Sequence, residues 1–276
     1  MKDLSEILLL DRTTKKNIVW ASDDYFEFGI GFSPQDEIVN EWLKKDGEDI
    51  IQVRSKKDKV LKEKRTKKRA EVYTPSWVCN KQLNLIDDAW FGRNNVFNVP
   101  TNSGWTTVKE KIIFDNKSWM EYVSSRRLEI ACGEAPYLVS RYNPIDCTPI
   151  PVANRIGILD RKMRVVNENT ESEAEWFLWA KTAFESSYGF EYQGDSLYLA
   201  RKNLLLSFEE YYKNKFNHNA SEEQLLQIAK IITWNIWQMD ARSFTPPYHH
   251  KHCILRDWKK YNWHKKSICT YKDIAG

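Results

Sequence analysis

Between residues 117 and 256 the chain alternates stretches of helical periodicity with short strand-like runs. That alternation points to a parallel sheet covered by helices, because parallel neighbours are joined through long crossovers rather than tight turns. The spacing predicts helices over 77–90 and 117–123, a strand over 127–131 and a helix opening near Ala135. After a proline-bearing connection over 143–152 it predicts a helix over 172–186, a strand over 188–192 and a helix over 195–215. A further helix over 221–231 opens with Ser221-Glu222-Glu223-Gln224, the S-x-x-Q form of a capping box. Strands over 232–238 and 252–256 complete the series, and 156–166 reads as a short strand-like run of mixed charge. Upstream, 25–32 suggests a strand and 36–44 a short helix.

A chain of 276 residues is one large domain or a domain with an appendage. The reading divides it into an N-terminal segment, 1–68, and a main domain, 69–276. With 42% hydrophobic residues, ten Gly and nine Pro it can bury a core. No apolar run approaches the roughly 20 residues that span a bilayer, and Met1-Lys2-Asp3 opens no signal peptide, so a cytoplasmic protein is expected. Five scattered cysteines without a C-x-x-C pair fit a reducing compartment. The net charge is only +4, yet nine of the fourteen residues from Lys56 to Arg69 are Lys or Arg. Such a stripe either contacts a phosphate backbone, making DNA the expected partner, or forms a solvated helix face.

In an open α/β sheet, ligands bind where strands end and helices begin. The first such turn reads Glu129-Ile130-Ala131-Cys132-Gly133-Glu134-Ala135-Pro136-Tyr137-Leu138. It resembles D-P-A-C-G-S-G-x-F-L, the cofactor loop of S-adenosylmethionine (SAM)-dependent DNA adenine N6-methyltransferases of the restriction-modification type. Glu129 stands for the acid, Ala131-Cys132-Gly133 is shared, Ala135 replaces the second glycine and Ile130 replaces proline. Tyr188-Gly189-Phe190-Glu191, followed by Leu199-Ala200-Arg201-Lys202-Asn203-Leu204, resembles the ribose-binding strand and the helix after it. Arg69-Ala70-Glu71-Val72-Tyr73-Thr74-Pro75 resembles the F-T-P segment, and Trp237-Gln238-Met239-Asp240 a strand ending in the adenine-contacting acid.

The resemblance implies a Rossmann-like methyltransferase sheet, truncated on its C-terminal side, with SAM as cofactor. It also implies Tyr73, Thr74, Pro75, Glu129, Ala131, Cys132, Gly133, Ala135, Glu191 and Asp240 as the cofactor-binding residues. Glu191 would accept from the ribose hydroxyls. The family's catalytic tetrad, [D/N/S]-P-P-[Y/F/W], has two imperfect counterparts. Thr245-Pro246-Pro247-Tyr248 has the right composition but lies close behind Asp240. A strand over 252–256 ending in Asp257-Trp258 sits at the family separation without the prolines. Asp257 is then the amine acceptor and Trp258 or Trp263 the plate that stacks a flipped base. The implied activity is adenine-N6 methyl transfer in a restriction-modification or phage system. The alternative is a catalytically inactive methyltransferase-fold subunit that binds SAM, DNA or a partner subunit supplying target recognition. His249, His250, His252, Cys253 and His264 lack the paired spacing of a zinc site, so no metal is expected.

Overall fold

The computed structural model describes residues 4–45, 47–69, 71, 74–258 and the strand 268–270. The chain is mixed α/β. Helix α1 (Leu4–Leu9) leads through turns to the hairpin β1 (Lys44–Lys45) and β2 (Glu48–Asp49), then to α2 (Lys59–Arg69) and α3 (Ser76–Phe91). A second hairpin, β3 (Asn98–Pro100) and β4 (Trp105–Thr107), precedes α4 (Trp119–Ser124) and β5 (Arg127–Ile130). Helices α5 (Ile158–Asn169) and α6 (Glu173–Glu185) lead to β6 (Ser187–Glu191), and α7 (Gly194–Phe216) and α8 (Glu222–Asn235) to β7 (Ile236–Gln238). The strands β8 (Ile254–Arg256) and β9 (Ile268–Thr270) follow.

The centre is a three-stranded parallel sheet in the order β5-β6-β7, with Leu128 opposite Tyr188 and Phe190 opposite Trp237. Every residue of β6 is buried, as a middle strand covered on both faces requires. Two helices fill each crossover, and their starts are written into the sequence. Ser118 and Glu121 form a capping box on α4, Ser172 caps α6, and Ser221 and Gln224 form the expected box on α8. Among the described residues β5 pairs only with β6, and on its face Leu128 and Ile130 are 40% and 65% exposed.

Four sequence expectations are corrected. Residues 25–32 are turns, not a strand, because Gly29 and Gly31 have φ of 100° and 92° and a side chain at Gly31 would overlap the Trp42 ring. Residues 36–44 hold only a 3-10 turn over Asn40–Trp42. The run 156–166 is mostly α5: Asp160, at its third position, accepts from the Gly157 amide at 3.0 Å, and Leu159, Met163 and Val166 recur on a buried face. No helix opens at Ala135, since the Tyr137 and Leu138 carbonyls receive the Ile158 and Leu159 amides of α5 instead of amides one turn on; the amides of the same two residues go to the Glu129 carboxylate.

The expected fourth strand of the sheet, 252–256, is also not one. The Cys253 thiol reaches the Gln238 carbonyl, Tyr188 donates to the Arg256 carbonyl, and Asp257 pairs with Arg126. Strand β8 therefore runs back across the sheet face against the direction of β5–β7 and pairs antiparallel with β9. The connection over 239–253 is folded into turns around an Asp240–Thr245 bridge, leaving no crossover helix to restore the parallel direction.

The expected boundary at 68/69 is not a packing boundary. One hydrophobic core joins Ile7, Ile18, Trp20 and Ile51 to Leu138, Leu197 and Ile236. The same join is made by charge. Asp195, in the first turn of α7 and fully buried, accepts from Lys57 at 2.7 Å, from Tyr25 at 2.8 Å and from Arg65 at 2.9 and 3.2 Å. Arg65 also pairs with Asp24 and Glu71. Burial pushes the Asp195 carboxyl up, but Lys57 and Arg65 outweigh it and hold the group well below its ordinary value. Arg65→Met leaves three buried carboxylates short of a partner, and a loss of about 3–5 kcal/mol is expected in urea unfolding. Lys59→Met, on the exposed side of α2, should stay within about 0.5 kcal/mol.

Candidate cofactor site at the carboxyl ends of the parallel strands

Strands β5 and β6 deliver two acids to one place. Glu129 and Glu191 are each 8% exposed and close enough for their charges to interact. Between them runs the turn 131–135, in which Ala131, Gly133 and Ala135 have φ of 50°, 54° and 66°. Two of the three are alanines, which adopt this conformation at a cost of about 1–2 kcal/mol each. The turn is held against that cost: Cys132 donates its amide to the Phe190 carbonyl at 2.9 Å, and Gly133 donates to Glu191 Oε2 at 2.8 Å. Amides exposed by alternating backbone handedness form an anion-binding concavity. Here the anion that the Gly133 amide meets is the protein's own Glu191.

The other oxygen of Glu191 accepts from the Tyr192 and Gln193 amides at 2.9 and 3.1 Å. Burial raises the Glu191 carboxyl, partly offset by these three amides. Burial pushes Glu129 up to about 8, against the Tyr137 and Leu138 amides and with the nearby Glu191 charge adding to the rise.

The crevice beyond these acids is roofed by the N-terminal segment. Gln238, the last residue of β7, accepts from the Val19 amide at 3.0 Å and donates to the Val19 carbonyl at 2.9 Å. Gly194 donates to the Trp20 carbonyl, and a Cβ at Gly194 would overlap the Val19 carbonyl. Glu134 accepts from the Arg54 amide and the Tyr142 hydroxyl, each at 2.7 Å.

Of the other expected site residues, Ala131, Cys132 and Ala135 share this turn, whereas Asp257 and Trp258 lie away from it. Cys132 and Ala135 are buried against the core while Ala131 is exposed. Thr74 and Pro75 lead into α3, with Thr74 beside the Tyr137 hydroxyl of the loop after β5, and Tyr73 lies outside the described residues. Asp240 caps its own turn through the Arg242 amide at 2.7 Å. Asp257 and Trp258 stand at the opposite end of the sheet from Gly133: Asp257 beside Arg126, just before β5 begins, and Trp258 with its indole N–H on Asn235, just before β7 begins. Four parallel residues separate the two ends by roughly 13 Å, so the pair does not meet a ligand held at the turn. Trp263 and His264 lie outside the described residues. Among those described, no group of three or more ligating side chains could hold a metal ion.

The basic stripe is divided. Lys57 and Arg65 are buried in the Asp195 cluster, Lys64 pairs with Asp23 and Asp24, and Lys62 donates to the Ser55 carbonyl. Lys56, Lys59 and Lys67 remain exposed. Sequence reasoning missed Asp195, Gln238 and Glu134, which organise the site's surroundings. Each is a polar residue at or within four positions of the carboxyl end of a parallel strand, and that position was the available signal. No protein-family model, curated protein or solved structure matches the chain.

The raised Glu129 gives a pH signature. Its folded value, about 8, lies above the unfolded value near 4.3, so its contribution to stability is full below about pH 4 and lost as pH rises through about 8. Between about pH 5 and pH 8 this group should lower stability by up to about 1.4 kcal/mol per pH unit. Glu129→Gln should flatten that slope in urea unfolding series.

Proposed function

We propose that this chain is a methyltransferase-like subunit that does not itself transfer methyl groups and that acts by binding DNA. The single observation that carries the reading is the closed crevice: the carboxyl ends of the parallel strands are covered by the chain's own residues 19–25 and 54–65, held down at Asp195. The three-strand order with helix-filled crossovers supports half of a Rossmann-like sheet. Against SAM, Glu191 already accepts three backbone amides, one of them from Gly133 in the turn a nucleoside would approach. Asp257 is spent on Arg126 rather than offered to a substrate amine. The outward part of the stripe, Lys56, Lys59 and Lys67, supplies the cations that meet a phosphate backbone.

A second reading, an active SAM-dependent adenine-N6 methyltransferase, is favoured by the Glu129–Glu191 pair flanking a turn with three left-handed residues. It requires the N-terminal segment to lift from the crevice.

Calorimetry and methyl incorporation decide between the two. The binding-subunit reading expects no saturable SAM heat and no labelled methyl on mixed duplex DNA. Saturable SAM binding abolished by Glu191→Ala, together with methyl incorporation, would establish the enzyme instead. Fluorescence anisotropy with a short duplex should show salt-dependent binding, its salt slope falling by about 1 for each of Lys56→Gln, Lys59→Gln and Lys67→Gln. Salt-independent binding, or none, overturns the DNA role.

A further inference from the structure

Strand β5 leaves one edge of the parallel sheet open. The Arg127 amide donates to the Ser186 carbonyl at 3.0 Å, so Arg127 and Glu129 turn their backbone groups toward β6 while Leu128 and Ile130 turn theirs outward. Among the described residues no other strand pairs with that edge, and no other backbone group bonds to it. Sheets ordinarily blunt such an edge with lysine, proline or a covering loop. Here the two outward residues are apolar, and their side chains are 40% and 65% exposed. Both point to the face on which Tyr188, Trp237 and Leu255 are buried, and Leu128 bounds a small hollow with those three.

The other face of the edge carries charge. Arg127 and Glu129 point there, toward α3, whose Asp87 lies 3.9 Å from Arg127 Nη2 and whose Gln82 meets the Tyr137 hydroxyl beyond the end of β5. The same Arg127 Nη2 is buried without a hydrogen-bond partner. Helix α3 adds two exposed apolar side chains beside the strand, Leu85 at 70% and Ile86 at 43%. Apolar side chains gathered in this way around unpaired backbone mark an interaction surface.

The order of charges selects the occupant. The edge reads Arg126-Arg127-Leu128-Glu129-Ile130, basic at its start and acidic after its middle. Turned end for end about Leu128, the same segment sets Arg127 opposite Glu129 and Arg126 opposite Ile130. Turned about Glu129, it sets two carboxylates against each other, and laid parallel it matches like with like, which costs stability. We propose that the open edge of β5 pairs antiparallel with β5 of a second copy of this chain, about a two-fold axis at Leu128, so that Arg127 of each copy meets Glu129 of the other. Leu128 then exchanges both hydrogen bonds with its own counterpart, as do Arg126 and Ile130 with each other, and the two three-stranded sheets become one. The unpartnered Arg127 donor reaches a carboxylate whose oxygens each accept one amide and have room for another bond. The dimer does not depend on the DNA-binding reading, since the lysines of α2 take no part in it.

The test is sedimentation velocity on the full chain from about 1 to 100 µM, a range suited to a small interface. The mass should rise with concentration from the 32.7 kDa of one chain toward twice that value. Ile130→Lys alters an exposed side chain, so its circular dichroism should be unchanged while dimerisation weakens at least tenfold. Arg127→Gln should weaken it about threefold. Leu128→Cys reads the register: hydrogen-bonded antiparallel partners have Cα atoms about 5.5 Å apart, within disulfide range, so mild oxidation should cross-link it. Ile130→Cys and the unaltered chain should cross-link at least tenfold more slowly. A single chain's mass throughout the range overturns the proposal, and is the result expected if a different protein supplies the strand. Unchanged dimerisation in a folded Ile130→Lys variant, or Leu128→Cys cross-linking no faster than Ile130→Cys, assigns the dimer to another face or register and overturns it as well.

Discussion

The fold turns on one carboxylate. Asp195 starts the helix that follows the central strand, and a bare acid at 0% exposure could not remain charged there. Lys57, Arg65 and Tyr25 make its charge tolerable, and all three come from the N-terminal segment. The sheet's carboxyl end and the N-terminal segment are thus each other's solvation. Removing either leaves buried charge in the other, which is why the segment lies over the crevice rather than beside the domain. The crevice is closed by the same contacts that stabilise it.

Elsewhere the interior uses charge differently. Arg161 on α5 meets Asp87 at 2.5 Å and the Asn80 and Asn84 side chains on α3, binding two helices through a complete polar set. Arg201 on α7 is wholly buried and donates to the Leu8, Leu10 and Ile236 carbonyls, so burial draws it down to about 10. It ties the chain's first helix to the last strand of the sheet through backbone acceptors alone. Long cationic side chains from helices act here as internal struts.

How much of this could be read beforehand depends on the range of the forces involved. Helix starts were legible because a cap is local: Ser221 and Gln224 are three residues apart and state their own geometry. Strands β5 and β6 were legible to within a residue, whereas the strand expected over 232–238 holds only Ile236–Gln238, because α8 runs on through Asn235. The direction of β8 was not, because a period of two says nothing about which way a strand runs, and only the folded turn at Asp240 decides it. The helix expected at Ala135 fails because the Tyr137 and Leu138 carbonyls, which would accept from the next turn, receive instead the Ile158 and Leu159 amides of α5. The basic stripe misleads for a similar reason: Lys57 and Arg65 look like their neighbours in sequence, and only Asp195, more than a hundred residues on, turns them inward. At the candidate site, the pairing of Glu129 with Glu191 was expected, whereas the roof from Val19 and Trp20 has no sequence signature.

The contacts that hold the N-terminal segment span 170, 138 and 130 residues. During synthesis, at roughly 5–20 residues per second, the first seventy residues leave the ribosome on the order of ten seconds before the helix that neutralises them. Over that interval Trp20, Phe32 and Trp42 have no core to enter, and Arg65 has no Asp195 to meet. Tyr25, Lys57 and Arg65 therefore find their native partner only once α7 has emerged.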